Sequence, residues 1–235
     1  MKNSKRNLTT LLCIIPLLLS CSTQYQGEQA QHINEPAEET ELVEKQVTIS
    51  IDIPENTDPA LFLYKNPATR LEVLDFYNTL TGNAAITNAI VKNAVQYGIP
   101  FNLAFALAHG ESDFNRWAVN KNAVSVDRGL FQLNSTTFPQ LTETQCFDPE
   151  INAKYALRHF RWCLDQGGNE VVGIAIYNAG RGRVELGGTP RITLDHINNI
   201  LGYKIDLERR LIEWVNSNPS FQVCIRRPEK QEQAG

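Results

Sequence analysis

The chain has 235 residues, of which 42% are hydrophobic, and this length and composition suit one globular domain with appended segments. The formal net charge is −4 and no long basic run occurs, which argues against a nucleic-acid-binding protein. An acidic protein is not drawn to anionic polymers by charge, so any binding to such a polymer must depend on a shaped groove.

The first twenty residues have the pattern of an export signal. Lys2, Lys5 and Arg6 precede an apolar stretch from residue 11 to residue 19, which is too short to span a bilayer. Residues 18–21, LLSC, resemble the lipobox of bacterial lipoproteins, and the resemblance implies cleavage before Cys21 and lipid attachment there. An ordinary signal peptide with an incidental cysteine is the alternative. Ser22 after the anchor favours the outer membrane of the cell envelope, facing the periplasm.

The remaining chain divides by composition. We expect a signal peptide over residues 1–20, a flexible lipid-anchored linker over 21–60, a mainly α-helical domain over 61–216 and a polar tail over 217–235. The linker is rich in Gln, Glu, Ala and Thr up to about residue 46, which favours a disordered tether. Ile49, Ile51 and Ile53 alternate with polar residues, and this pattern is typical of a short strand.

Helical periodicity begins near Pro67 and recurs to about residue 215. Residues 101–108 are almost wholly apolar, which predicts a buried helix that ends at residues 109–111. Residues 115–134 lack a helical period and predict a loop or β-hairpin. Asp148 and Pro149 predict the cap and first turn of the next helix. Further helices are predicted over residues 171–179 and from about residue 194 to residue 215.

Three cysteines follow the anchor, at Cys146, Cys163 and Cys224. Fourteen residues of helix between Pro149 and Cys163 span roughly 21 Å. A disulfide needs Cα atoms about 5.5 Å apart, so a bridge between Cys146 and Cys163 is not expected. Either of the two could pair with Cys224, or all three could be small apolar fillers.

Glu111 is the first candidate for chemistry, because it follows the buried helix. A carboxyl at the edge of an apolar element is poorly solvated, and burial raises its pKa. A carboxylic acid that is still protonated near neutrality can donate a proton to a glycosidic oxygen.

Three motifs around Glu111 resemble those of the soluble-type (SLT) lytic transglycosylases, which are relatives of lysozyme. Residues 111–115 are ESDFN, residues 129–134 are GLFQLN and residues 177–184 are YNAGRGRV, in the order that the family has them. The resemblance implies a lysozyme-like fold and an enzyme that cleaves the peptidoglycan bond between N-acetylmuramic acid and N-acetylglucosamine, leaving a 1,6-anhydro end. Phe131 replaces the family's methionine and keeps an apolar side chain there.

The same resemblance implies roles for residues of this chain. Glu111 would be the catalytic acid and base, and the substrate would be bound by a set of polar side chains, namely Ser112, Asn120, Gln132, Asn134, Tyr177 and Asn178. Tyr177 could bond the Glu111 carboxyl or the substrate. Ser112 could position the acid or satisfy the loop backbone. Gln132 and Asn134 alternate with apolar residues, so their amides are expected on one face.

Asp127 leaves the outcome of the reaction open. Residues 125–135, SVDRGLFQLNS, also resemble a motif of animal-type lysozymes in which the aspartate is the second catalytic carboxylate. Glu111 and Asp127 together would then make a hydrolytic muramidase with a covalent intermediate. Arg128 could instead pair with Asp127 and keep it ionised. A third possibility is a peptidoglycan-binding lipoprotein without turnover.

No cofactor is expected from the sequence. The four histidines lie on different segments without metal-ligand spacing, and no phosphate-binding glycine loop occurs. His109 lies two residues before Glu111, so on a helix it points elsewhere and is expected to pack or face solvent. The expected partners are peptidoglycan strands and, through Cys21, a membrane, with no nucleic acid.

Overall fold

A computed structural model describes residues 48–55 and 57–225, and this part of the chain is mainly α-helical with a small β region, as predicted. Its helices are α1 (Pro59–Lys65), α2 (Arg70–Thr81), α3 (Ala84–Tyr97), α4 (Phe101–Ser112), α5 (Glu143–Cys146), α6 (Pro149–Gly167), α7 (Glu170–Ala179), α8 (Arg181–Glu185) and α9 (Arg191–Ser217). Its strands are β1 (Ile49–Ile53), β2 (Val119–Lys121), β3 (Val126–Arg128), β4 (Leu133–Asn134) and β5 (Phe221–Ile225).

Several predictions fall on residues outside this description. The signal peptide over residues 1–20, the lipid-bearing Cys21 and the disordered tether all lie there, as does the end of the tail from residue 226. Among the helices of the described residues, none is both long enough and apolar enough to cross a membrane.

Helix α4 forms the centre of the core. Its first eight residues, from Phe101 to Ala108, are all buried, which confirms the prediction of a buried helix. An apolar surface on every side must be covered on every side, and α4 packs against α9, α3 and α1. The helix ends at Ser112, one residue beyond the predicted end at residues 109–111, and Asp113 after it takes a left-handed conformation (φ 52°). Glu111 therefore lies in the last helical turn.

The helices around α4 begin and end at residues with clear capping roles. The Asp148 side chain accepts a hydrogen bond from the Ile151 N–H (2.9 Å), and Pro149 opens the first turn of α6, as predicted. Gly98 and Gly168 close α3 and α6 in left-handed conformations. These caps fix where α6 and α7 start, and both helices contribute walls to the site described below.

The predicted loop or hairpin is a small antiparallel sheet with the strand order β2-β3-β4. Its register places Asn120 opposite Asp127, and Asp127 opposite Asn134. Directly opposed residues of antiparallel strands share one face, with Cβ atoms about 5 Å apart. Three polar side chains therefore form a row across the sheet.

Two strands lie outside the predicted limits of the domain, residues 61 and 216, which stay a prediction, and the first of these strands is the one predicted from Ile49, Ile51 and Ile53. Strand β1 pairs in parallel with β5, with Ile51 opposite Val223, so ordered structure covers part of the expected linker and of the expected polar tail. The two residues of that pair and Ile53 are buried, and the Asn216 side chain bonds the backbone N–H of Val223 at 2.7 Å. Neither strand is stable alone, and their pairing joins segments too distant for local pattern to reveal.

The three cysteines within the described residues carry no bridge. Cys146 and Cys163 are buried free thiols, and Cys224 is an exposed free thiol on β5. The expectation that Cys146 and Cys163 do not pair is confirmed, and the possible bridge from Cys224 is not formed.

Candidate active site

A cleft of about 660 Å³ brings together most of the predicted site residues. It is lined by side chains from α4, the small sheet and the end of α7, among them Glu111, Asn120, Asp127, Gln132, Asn134, Tyr177 and Asn178. Ser112 is the predicted site residue of the domain that does not line it. Carboxylate, amide and phenol groups thus converge on one concave surface, which suits a ligand rich in hydroxyl and amide groups.

Glu111 is the acid of this cleft. Its side chain is only 12% exposed, and burial raises the pKa of its carboxyl above the ordinary value of 4.5. His196, on α9, opposes that shift through a hydrogen bond from its Nε2 to Oε1 of Glu111 (3.1 Å) and through its charge when protonated, while the negative charge of Asp127 adds to it. The net shift is upward, as expected for a carboxyl at the edge of an apolar helix. Such a group can hold a proton for transfer.

The loop over residues 129–132 lies against the end of α4 and is held from three sides. The Asn152 side chain of α6, which is fully buried, donates to the Arg128 and Cys146 carbonyls and accepts from the Phe131 N–H. Gly129 has φ 81°, and a Cβ there would overlap the Cys146 carbonyl oxygen and the Asn152 amide. Only glycine permits this close approach.

Ser112 and Tyr177 tie the same loop to two helices. The Ser112 hydroxyl donates to the Leu130 carbonyl at 2.7 Å, so of its two possible roles the structure shows the bond to the loop backbone. The Tyr177 hydroxyl donates to the Phe131 carbonyl at 2.9 Å, and not to the Glu111 carboxyl. Burial, together with the negative charge of Glu111, raises the pKa of Tyr177, so the phenol stays neutral.

Asp127 is held by three amides, two from the row across the small sheet and one from Asn122 in the turn after β2. Its Oδ2 accepts from Asn122 (2.8 Å) and Asn120 (3.3 Å), and its Oδ1 accepts from Asn134 (2.6 Å). The possible pairing with Arg128 was wrong, because successive residues of a strand point to opposite faces, and the Arg128 guanidinium lies 3.7 Å from Glu143 instead. Asp127 therefore faces Glu111 across the cleft with most of its acceptor capacity in use.

The side-chain amides of Asn134, Asn178 and Gln132 differ in which N–H and C=O groups remain available to a ligand. The Asn134 amide donates to Ser125 and Asp127, and the side-chain oxygen of Asn178 accepts from the Thr193 hydroxyl at 2.7 Å. Gln132 donates to the Gly129 and Ala118 carbonyls, and among the described residues no group donates to its side-chain oxygen. Gln132 lies in the turn before β4 (φ 49°), not within an alternating strand, yet it shares the cleft with Asn134 as expected. Its oxygen can accept a ligand N–H.

Sequence reasoning missed several residues of this site. His196 was discounted with the other histidines because its partner is 85 residues away, and only the packing of α9 on α4 brings the two together. Trp162 and His159 of α6 line the cleft with stacked rings (centroids 5.4 Å apart, 17° between planes), and Trp162 is 42% exposed. An exposed Trp on an otherwise polar helix face was the available signal for this wall.

Metal ligation has no visible basis in the described residues. Over residues 48–55 and 57–225, no group of three or more His, Cys, Asp or Glu side chains is placed to hold a metal ion. The chemistry that the cleft offers is that of a buried carboxylic acid, a fixed carboxylate and amide groups.

A buried acid at the end of a central helix, facing a small antiparallel sheet with a second carboxylate, defines a lysozyme-like domain. Residues 88–188 match the family described as the Transglycosylase SLT domain. This match supports a lysozyme-like domain of the soluble lytic transglycosylase type over residues 88–188, and the substrate that such a domain implies is peptidoglycan.

Proposed function

We propose that this protein is a peptidoglycan lytic transglycosylase that cleaves the β-1,4 bond between N-acetylmuramic acid and N-acetylglucosamine and leaves a 1,6-anhydro end. The observation that carries the proposal is the environment of Glu111 within an SLT domain: a carboxyl 12% exposed, with a raised pKa, on the wall of a polar cleft.

The reaction needs one group that acts first as an acid and then as a base. Protonated Glu111 donates its proton to the glycosidic oxygen, and the bond from that oxygen to C1 of the muramyl residue breaks. The muramyl N-acetyl group stabilises the positive charge that develops at C1. The muramyl 6-hydroxyl then bonds to C1 and gives its proton to the Glu111 carboxylate, which restores the acid and balances the reaction without water.

Asp127 has a supporting role in this scheme. A carboxylate has about four acceptor positions, and three amides occupy three of them on Asp127. Hydrogen bonds of this kind stabilise the negative charge and reduce the readiness of the carboxylate to form a covalent bond. We infer that Asp127 stabilises the positive charge at C1 electrostatically.

The second candidate function is that of a hydrolytic muramidase in which Asp127 forms a covalent intermediate with the sugar. The observation in its favour is that Asp127 lines the same cleft and that its charge reaches Glu111, raising the pKa of that carboxyl.

Digestion of purified peptidoglycan followed by mass spectrometry distinguishes the transglycosylase from the muramidase. Transglycosylation gives muropeptides one water lighter than hydrolysis gives. Muropeptides of full hydrolytic mass would contradict our proposal, and no released muropeptides would point to a binding protein.

Glu111→Gln keeps the shape of the side chain and removes the acid, so turnover should fall by about 10²–10⁴-fold. Asp113→Asn is the matched control, since it removes a neighbouring carboxylate that is 85% exposed and keeps a residue that tolerates the left-handed conformation. The control should retain nearly full activity. Equal losses of turnover in the two variants would contradict the role of Glu111 as the catalytic acid.

We also propose that the protein is lipid-anchored at Cys21 in the outer membrane, facing the periplasm. The basic start, the short apolar stretch and the LLSC sequence support the anchor, and Ser22 supports the outer membrane. Mass spectrometry of the mature wild-type N-terminus should find acyl chains on Cys21, whereas Cys21→Ala, which also removes the predicted cleavage site, should carry no acyl chain and keep its apolar signal segment. A mature wild-type N-terminus without acyl chains would refute the anchor.

A further inference from the structure

His196 is the one basic side chain that contacts the acid among the described residues. It projects from α9, and its Nε2 lies 3.1 Å from Oε1 of Glu111. Both side chains are mostly buried, 19% exposed for His196 and 12% for Glu111. A hydrogen bond in this environment is little weakened by solvent, and it fixes the orientation of both groups.

The backbone at the end of α4 is built to allow this contact. Gly110 precedes Glu111, and a Cβ on it would lie 2.8 Å from Cγ1 of Ile200 and 3.3 Å from Cε1 of His196. Any other residue at this position would push α9 away from the end of α4. The close approach of the two helices brings the imidazole within reach of the carboxyl.

The contact distinguishes the two oxygens of Glu111. Oε1 is bonded to His196, whereas Oε2 has no hydrogen-bond partner among the described residues. An imidazole with its proton on Nε2 donates to Oε1 when the acid is protonated and equally when it is ionised. The proton that moves is then confined to Oε2, which is free to meet the glycosidic oxygen.

We propose that His196 is the positioning residue of the catalytic acid, holding Oε1 of Glu111 so that proton transfer occurs through Oε2. This inference rests on the proposed function, in which Glu111 must both give and take a proton.

A second cavity gives an experimental route to this contact. It has a volume of about 630 Å³, lies between α4 and α9, and is lined by His196 together with His109, Gly110, Tyr203 and Asp206. Removing the His196 side chain would therefore leave a space open to this cavity. Added imidazole can enter a space of this size, so chemical rescue is expected.

The pH dependence follows from the groups that surround the pair. His196 faces Glu111 and, in the second cavity, His109, Tyr203 and Asp206, while Asp195 is its neighbour on α9. Glu111 also faces the groups of the cleft, namely Asp127, Tyr177, His159 and Arg181. The hydrogen bond and charge of His196 lower the pKa of Glu111, so their loss should raise it.

The test compares His196→Ala, His196→Gln and His109→Phe with the wild type, on soluble peptidoglycan fragments. Loss of a hydrogen bond to a charged group corresponds to a fall in kcat of about tenfold to a hundredfold in His196→Ala, with KM little changed. The alkaline limb of the kcat–pH profile should move to higher pH, and imidazole should restore part of kcat. His196→Gln, which keeps an N–H donor, should retain more activity. His109→Phe, which keeps a ring stacked on Tyr203, should behave as wild type.

A folded His196→Ala with unchanged kcat and pH profile would overturn the proposal, and so would a change confined to KM. Failure of the proposed function is a separate outcome, seen when the wild type releases no muropeptides. In that case the pKa of Glu111, followed by NMR with labelled glutamate, still decides: a rise in His196→Ala supports the contact and no change refutes it. If His196→Ala does not fold, His196→Leu, which fills the space but has no donor, takes its place in the same comparison.

Discussion

Gly110→Ala adds one methyl group at the point where α4 and α9 approach most closely around the acid. The new Cβ would lie 2.8 Å from Cγ1 and 3.3 Å from Cδ1 of Ile200, which is too close for ordinary packing. Overpacking of this kind costs about 1–3 kcal/mol, whereas replacing glycine by alanine inside a helix contributes about 1 kcal/mol of stability. The steric cost should win, because the crowded atom is near the Ile200 backbone and cannot swing away.

Gly202→Ala is the matched substitution on the facing helix. Its Cβ would meet nothing within 4 Å, so only the favourable helix term of about 1 kcal/mol remains. The two variants should therefore differ by about 1–3 kcal/mol in unfolding free energy. For a domain of this size each kcal/mol shifts Tm by about 2–4 °C, so thermal melts should separate them by several degrees.

The same two variants, Gly110→Ala and Gly202→Ala, also test whether the position of Glu111 and His196 affects activity. Gly110→Ala must displace Ile200 and the His196 ring by a few tenths of an ångström, so its kcat should fall, whereas that of Gly202→Ala should not. Melting temperatures and peptidoglycan turnover measured side by side check both statements. If Gly110→Ala is as stable and as active as Gly202→Ala, the helices are not in the tight contact from which the argument starts.

Three further predictions concern stability and thiol access. Burial raises the pKa of Glu111 above 4.5, so the folded state loses stability as pH rises from about 4.5 through the raised pKa. Glu111→Gln should therefore gain in Tm over wild type across this rise in pH, and a pH-independent difference would contradict this. Tyr177→Phe loses the bond to the Phe131 carbonyl and should cost about 1–3 kcal/mol in urea unfolding, whereas an unchanged midpoint would dismiss that bond. A thiol reagent should label exposed Cys224 in the native protein and reach Cys163, whose pKa burial raises to about 12, only after unfolding; rapid native labelling of Cys163 would exclude its burial.

The helical core could be predicted from the sequence because its signals are local. The apolar run that became α4, and the Asp148–Pro149 pair that opens α6, each act within a few residues. The pairing of β1 with β5 could not be predicted, because Ile51 and Val223 are far apart in the sequence and no local pattern links them. Strand β1 itself could be predicted from the alternation of Ile49, Ile51 and Ile53, but a short strand has no independent stability and its pattern does not name its partner.

The candidate site also has parts that could be predicted from the sequence and contacts that could not. Glu111 and Asp127 belong to contiguous motifs, so their segments could be recognised, and the amide row follows once the sheet register is known. The bond from Tyr177 to Phe131 and the contact of His196 with Glu111 depend on how α7 and α9 pack. No spacing along the chain encodes those two contacts.

The acid at position 111 has to satisfy two opposed demands. It must keep a proton until the substrate is bound, and it must then lose that proton and exist as a carboxylate until the 6-hydroxyl returns one. Burial and the charge of Asp127 serve the first demand by raising the pKa of Glu111, and the bond from His196 serves the second by stabilising the carboxylate. Burial alone would favour only the protonated form, because a buried carboxylate without a donor is strongly disfavoured. A donor on α9 facing an acid on α4 is therefore what a single carboxyl requires if it is to act in both directions.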